Sequence, residues 1–303
     1  MHLRLSLASA VAAAALLAAS AHAAVPPKPI VTSTASGGMI YAGVDTAESV
    51  EFRPIAGPKF IVDASVAIAP GAGCTADAAD ATKATCIAFK RPDGTLKEFH
   101  AFGRKGNDTI RNFSGATMVA RGEDGEDDLS GGSGPDTLLG GPGNRDDLRG
   151  NSGPDILNGG PGEHDGVSYS NRDSATDVSI DDTVANDGRL GENDQVLEVE
   201  DVVGGNGDDV IEGNASDNVI VTGPGEDSLV GGLGADTLLG GDDGDVLSTG
   251  QSLPGLPFSD GAVDKLSGDG LFGGEDPGPH DTCFFSVLDP DTPISCEIEK
   301  AGV

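Results

Sequence analysis

The residues in this chain with the most chemical potential are aspartates set at intervals of nine or ten, each among glycines and each followed two places later by an aliphatic residue. Gly131-Gly132-Ser133-Gly134-Pro135-Asp136-Thr137-Leu138-Leu139 serves as the template, G-G-x-G-x-D-x-U-x with U a large aliphatic residue. Neighbouring blocks place Asp127, Asp155 and Asp165 in the acidic slot; one block with an extra residue offers Asp146 or Asp147. A second run holds Asp209, Asp227, Asp236 and Asp245, with Asn218 where a further Asp is expected, and an isolated upstream copy carries Asp108. Carboxylates repeated beside glycine carbonyls are the donor set of a hard cation. Ca²⁺ takes six to eight oxygen ligands from such a mixture, whereas Mg²⁺ demands a stricter octahedron with retained water, so calcium fits better. The plain alternative for any one Asp is a solvated turn residue.

Each block must supply one turn and one short strand to position these carboxylates. Two blocks then make one coil of a flattened spiral, and successive coils stack as parallel strands about 4.8 Å apart. Stacking of every second block predicts shared layers for Asp127 with Asp146, Asp136 with Asp155, Asp146 with Asp165, Asp209 with Asp227 and Asp227 with Asp245. Asp236 needs a partner either near Asn218 or beyond Ser248. The aliphatic slot (Leu129, Leu138, Leu148, Leu157, then Ile211, Leu229, Leu238, Leu247) points inward and fills a thin core. Glycine suits the turn because it visits positive φ and lets backbones approach closely.

These nonapeptides resemble the hemolysin-type calcium-binding repeats of the RTX (repeats-in-toxin) family, in which G-G-x-G-x-D forms the calcium-binding turn and x-U-x a short strand. The resemblance implies an all-β, right-handed parallel β-roll with Ca²⁺ as its cofactor and Asp108, Asp127, Asp136, Asp146, Asp155, Asp165, Asp209, Asp227, Asp236 and Asp245 among its ligands. Self-similarity at a fixed period carries this reading. A disordered low-complexity tract would not keep an aliphatic residue two places after each Asp.

Around the arrays, residues 1–23 read as a signal peptide and 24–105 as an N-terminal β-rich cap or extension. Residues 106–168 form the first array, 169–203 an irregular β insert, 204–248 the second array, and 249–303 a C-terminal loop with a disulfide-tied cap. Short alternating runs at 40–44, 50–52, 60–68, 86–90 and 96–102 predict strands, and a small separate β-domain is the other reading of this region. In the insert, strands are expected at 177–180 and 195–203, with a turn at Asn186-Asp187-Gly188. Arg4, the apolar run 5–17 and Ala21-His22-Ala23 give the signal pattern, with cleavage expected after Ala23 and secretion as the consequence. RTX proteins commonly use an uncleaved C-terminal export signal instead, so that route is doubtful for this chain.

The formal net charge is −32, with 50 acidic residues against 18 basic ones. Such a balance argues against nucleic acid and anionic membrane surfaces, and it opposes a compact state unless a cation neutralises it. With no Trp and only 2 Tyr, a thick aromatic core is not available. Cys74, Cys86, Cys283 and Cys296 read as disulfides in an exported chain, nearest-neighbour pairing being preferred among three connectivities. No H-E-x-x-H or G-x-S-x-G is present, and three histidines remain after the signal, His100, His164 and His280. The expectation is therefore a secreted, non-enzymatic calcium-binding protein that folds on binding and has a structural or surface-associated role. An adhesion or matrix module binding a glycan or cell-surface partner is one alternative. A Ca²⁺-assisted polysaccharide lyase or epimerase is another.

Overall fold

The computed structural model describes residues 28–33, 38–55, 59–87, 98–180 and 184–248, together with the strands Lys265–Ser267 and Thr282–Phe284. Every regular element among the described residues is a β-strand, and the repeats wind into a parallel β-roll. Strand pairing follows the rule of every second block. Leu129 stands opposite Leu148, Leu138 opposite Leu157, Ile211 opposite Leu229, and Leu229 opposite Leu247. The three-residue strands from Asp128–Ser130 to Val246–Ser248 bury only their middle residue. Every aliphatic of the predicted slot is at most 1% exposed, so each coil contributes a single apolar rung per face. Burying one such side chain is worth roughly 1.5–3 kcal/mol, which makes the roll a stack of small increments rather than one dense core.

Sheet order shows how the two arrays join. One sheet is continuous from Cys74–Ala76 at one edge to Lys265–Ser267 at the other, and both arrays add strands to it. The opposite face is divided. A first sheet ends with Gln195–Leu197, and a third sheet has Gly188–Arg189 at its edge, antiparallel to Thr176–Ser179, to which Val210–Glu212 and its successors are added in parallel. The predicted run 195–203 is thus two strands on different sheets, Gln195–Leu197 and Asp201–Val203. Glu198 between them takes φ 50°, which turns the chain around the edge of the roll. The turn expected at Asn186-Asp187-Gly188 is displaced: Asp187 bridges Asp194 and Gly188 begins the strand Gly188–Arg189, so the chain turns at Leu190 and Gly191 instead.

The N-terminal residues extend the same sheets. Met39–Ala42 pairs in parallel with Phe99–Lys105, and Ser49–Ile55 with Thr109–Asn112. Beyond them the order becomes antiparallel through Lys59–Ala64, Lys83–Ile87 and Cys74–Ala76. A disulfide joins Cys74 and Cys86 across the last pair. Here the few aromatic residues gather. Phe52 and Phe99 have ring centroids 4.7 Å apart, with Tyr41 and Phe60 against them, all fully buried. Composition thus undersold this end, because scarce aromatics were concentrated rather than spread. The expected signal segment, the pairing of Cys283 with Cys296, and His280 lie outside the described residues; no described helix is long and apolar enough to cross a membrane.

Candidate metal centres

All ten predicted aspartates sit in the turns at the edges of the roll, and none is more than 2% exposed. Each carboxylate has two different duties. One oxygen holds the neighbouring coil. Asp127 Oδ1 accepts the Asp108 N–H at 2.7 Å, Asp146 Oδ1 that of Asp127 at 2.8 Å, and Asp165 Oδ1 that of Asp146 at 2.9 Å. On the other edge, Asp155 Oδ1 accepts from Asp136 at 2.7 Å. In the second array Asp227 accepts from Asp209 at 2.7 Å and Asp245 from Asp227 at 2.9 Å. Asp236 accepts the Asn218 N–H at 2.9 Å. The stacked pairs read from the sequence are therefore the ones brought together. Asp146, not Asp147, occupies the slot; Asp147 lies on the next strand beside Arg149.

The second oxygen faces the turn. Oδ2 of Asp108, Asp127, Asp146 and Asp155 is buried and receives no hydrogen bond. The first glycine of a block makes the room, except in the Asp227 block, where Thr222 stands in that place and its hydroxyl donates to the Gly240 carbonyl. A methyl group on Gly131 would lie 2.6 Å from both Asp136 Oδ2 and the Gly150 carbonyl oxygen. One on Gly140 would overlap Asp146 Oδ2 and approach the Gly159 carbonyl at 2.5 Å. A carboxylate oxygen and a carbonyl from the next coil thus converge on space that only glycine leaves open. Positive φ belongs elsewhere, at the second and fourth places of the block. Gly141 has φ 117° and Gly153 φ 121°; Asn151 and Asp243 take φ 68° and 80° at the same two places. Asparagine and aspartate tolerate that region better than most side chains.

Burial raises these carboxyls: Asp155 is pushed up to about 8, with Asp194 and Asp136 adding repulsion. Asp108 and Asp146 rise to about 7, and Asp127, Asp136 and Asp227 to about 6, burial being the largest cause in each. A buried carboxylate oxygen that no donor meets is unfavourable by itself. It becomes favourable beside a cation, and an oxygen-only mixture of carboxylate and carbonyl is the donor chemistry of calcium. Among the described residues no three metal-ligating side chains converge, so backbone carbonyls would have to complete each coordination sphere.

The ladder includes acids that the repeat pattern does not mark. Asp155 donates its N–H to Asp194 Oδ1 at 2.9 Å, and Asp165 donates to Glu200 Oε2 at 3.0 Å. Glu48 donates to Asp108 Oδ1 at 2.8 Å. All three have a buried aliphatic two places on, Val196, Val202 and Val50, which is the one signal that finds them without glycine spacing. Asn218 is informative as a substitute. Its Oδ1 accepts the Asn214 N–H at 2.9 Å, as Asp209 Oδ2 accepts that of Gly205 at 2.7 Å. Its amide then donates to the Glu200 carbonyl at 2.8 Å, meeting with an N–H an oxygen of the kind a cation would take. Beside Asp194 the insert buries an ion pair of Arg172 with Glu192 at 2.8 Å, and Tyr169 donates to Asp194 Oδ2 at 3.2 Å. His100 lies by Glu98 and His164 by Asp201, each on its own strand or turn.

A family model described as the RTX calcium-binding nonapeptide repeat matches the chain in four copies, at residues 121–144, 145–163, 199–229 and 221–251. No curated protein matches it. Residues 121–163 and 199–251 are accordingly RTX calcium-binding nonapeptide repeats, and calcium is the ion that such repeats bind.

Proposed function

We propose that this chain is a secreted, non-enzymatic calcium-binding protein whose roll orders on meeting extracellular calcium and serves a structural or surface-associated role. The observation that carries this reading is the buried Oδ2 of Asp108 and of Asp146, each held without a donor beside a glycine carbonyl of the next coil, that of Gly122 and of Gly159. The ligands are Asp108, Asp127, Asp136, Asp146, Asp155, Asp165, Asp209, Asp227, Asp236 and Asp245, with Asp194 and Glu200 continuing the series through the insert. Residues before 106 close the amino-terminal end of the roll as a cap, and a bond between Cys283 and Cys296 ties the other end. The disulfide of Cys74 with Cys86 supports an oxidising compartment.

Binding at this density is enough to drive folding. With a Kd of ~10⁻⁴ M, usual for extracellular modules, ~1 mM Ca²⁺ adds about 1.4 kcal/mol per site. Several such sites together match the stability of an ordinary domain. The test is calorimetric titration of the metal-stripped protein with Ca²⁺, with circular dichroism in parallel and Mg²⁺ as control. Saturable uptake of several ions with a gain of β-signal is expected. No uptake, or an equal response to Mg²⁺, would sink the reading.

A further inference from the structure

The turn from Gly43 to Glu48 lies well before the matched repeats but copies their geometry. Gly43 precedes Glu48 by five places, as Gly103 precedes Asp108 and Gly131 precedes Asp136. The Glu48 N–H is held by Asp108 Oδ1, the same bond that joins Asp108 to Asp127. A glutamate is one methylene longer, and this carboxylate folds back so that Oε1 accepts the Val44 N–H at 3.1 Å. A methyl group on Gly43 would overlap Glu48 Oε1 and the Gly103 carbonyl oxygen, and would sit 2.9 Å from the Phe102 carbonyl oxygen. Three oxygens therefore face one small space. Two more observations point to a ligand there. Glu48 is only 6% exposed, and its Oε2 receives no hydrogen bond, whereas the donor-free Oδ2 of Asp108 faces the next space along, between Gly103 and the Gly122 carbonyl.

We infer that Glu48, with the carbonyls of Phe102 and Gly103, holds a further calcium ion outside the repeats, clamping the N-terminal segment to the first coil. The inference rests on the calcium reading of the roll given above. Its position gives it a purpose that the repeat sites lack. The strands on either side of the turn, Met39–Ala42 and Ser49–Ile55, are the two through which the N-terminal segment pairs with the roll.

Tyrosine placement makes the site separately observable. The chain has 2 tyrosines and no tryptophan. Tyr41 lies against Glu48 and Tyr169 against Asp194. In the full chain carrying Tyr169→Phe, terbium emission sensitised by tyrosine should therefore report the Glu48 turn. The expected result is saturable emission that Ca²⁺ displaces and that Glu48→Gln largely abolishes. By calorimetry, Glu48→Gln should lower the number of bound Ca²⁺ ions by one, whereas Asp45→Asn, which removes an exposed charge in the same turn, leaves it unchanged. Gly43→Ala, which fills the space and keeps every acid, should repeat the loss. Emission and ion count unaffected by Glu48→Gln, with the repeats still binding, would overturn this inference alone. Loss of the repeat ions along with this one would overturn the assignment of a separate site. A parent protein that binds no calcium would overturn the wider reading as well.

Discussion

Asp155 states the chemistry of the slot most sharply. Its Oδ1 is committed to the Asp136 N–H, its Oδ2 has no donor, and its carboxyl is raised further than those around it. Asp155→Asn keeps an acceptor for the ladder but removes the charge, so its effect should change sign with calcium. Without metal the variant should be more stable than the parent by about 1–3 kcal/mol, the cost of a buried unsatisfied polar group. With calcium it should be less stable, and urea denaturation in EDTA and in excess Ca²⁺ measures both. The same residues set a pH dependence opposite to that of most proteins. Unfolded aspartates titrate near about 4, while burial lifts Asp127 to about 6, Asp146 to about 7 and Asp155 to about 8 in the fold. The folded metal-free chain therefore holds more protons across that interval, and its stability should fall as pH rises through it. Calcium affinity should rise over the same interval, because protons leave as the ion enters. A urea midpoint in EDTA that increased with pH would contradict the buried-carboxylate account. Glycines divide in the same way: Gly140→Ala should expel an ion, whereas Gly115→Ala, whose methyl would meet only Ser133 Oγ at 3.2 Å, should be tolerated.

At the scale of the element, the repeat strand is short enough that one side chain decides it. Leu138 lies in register between Ala120 and Leu157, fully buried. Leu138→Ala should cost about 2–5 kcal/mol in the calcium-bound protein, because a coil of this width cannot collapse around the gap. Calorimetric melting in excess Ca²⁺ reads this loss. Strand positions of this kind were legible in the sequence, since Asp, then any residue, then an aliphatic marks both the slot and the inward side chain. The reason for the block's first glycine was less legible. The sequence suggested both backbone freedom and close approach, and at Gly140 it is close approach that counts, because the neighbouring coil's carbonyl and the block's own carboxylate occupy the place of a side chain. Asp194 and Glu200 escaped notice because the insert disrupts glycine spacing while leaving the acid and its aliphatic partner in place. Glu48 escaped because a glutamate between two predicted cap strands gave no reason to count back five residues. The run 195–203 could not be divided locally, because which sheet needs its next strand is a property of the stacked coils.

For the whole molecule, the two ends differ in what holds them together. The amino-terminal part has antiparallel pairing, the disulfide of Cys74 with Cys86 and the aromatic cluster around Phe52 and Phe99. The arrays have thin apolar rungs and closely stacked acids under a net charge of −32. Removal of calcium should therefore melt the chain unevenly. Hydrogen exchange in EDTA is expected to leave the strands Lys59–Ala64 and Lys83–Ile87 protected while those from Asp128–Ser130 onward exchange freely. Uniform exchange along the chain would show instead that the two parts fold as one unit.

The carboxylate ladder also gives the roll a direction. Every rung runs the same way, from the N–H of an earlier coil to the acid of a later one. Coils removed from the carboxyl end therefore uncover a backbone donor, and coils removed from the amino end uncover a carboxylate acceptor. At the amino end that acceptor is Glu48, which the turn satisfies internally through Val44. A chain that emerges amino end first seals each coil only when the next one arrives. Winding can then proceed like a one-way ratchet, with a single unsealed coil at its advancing edge.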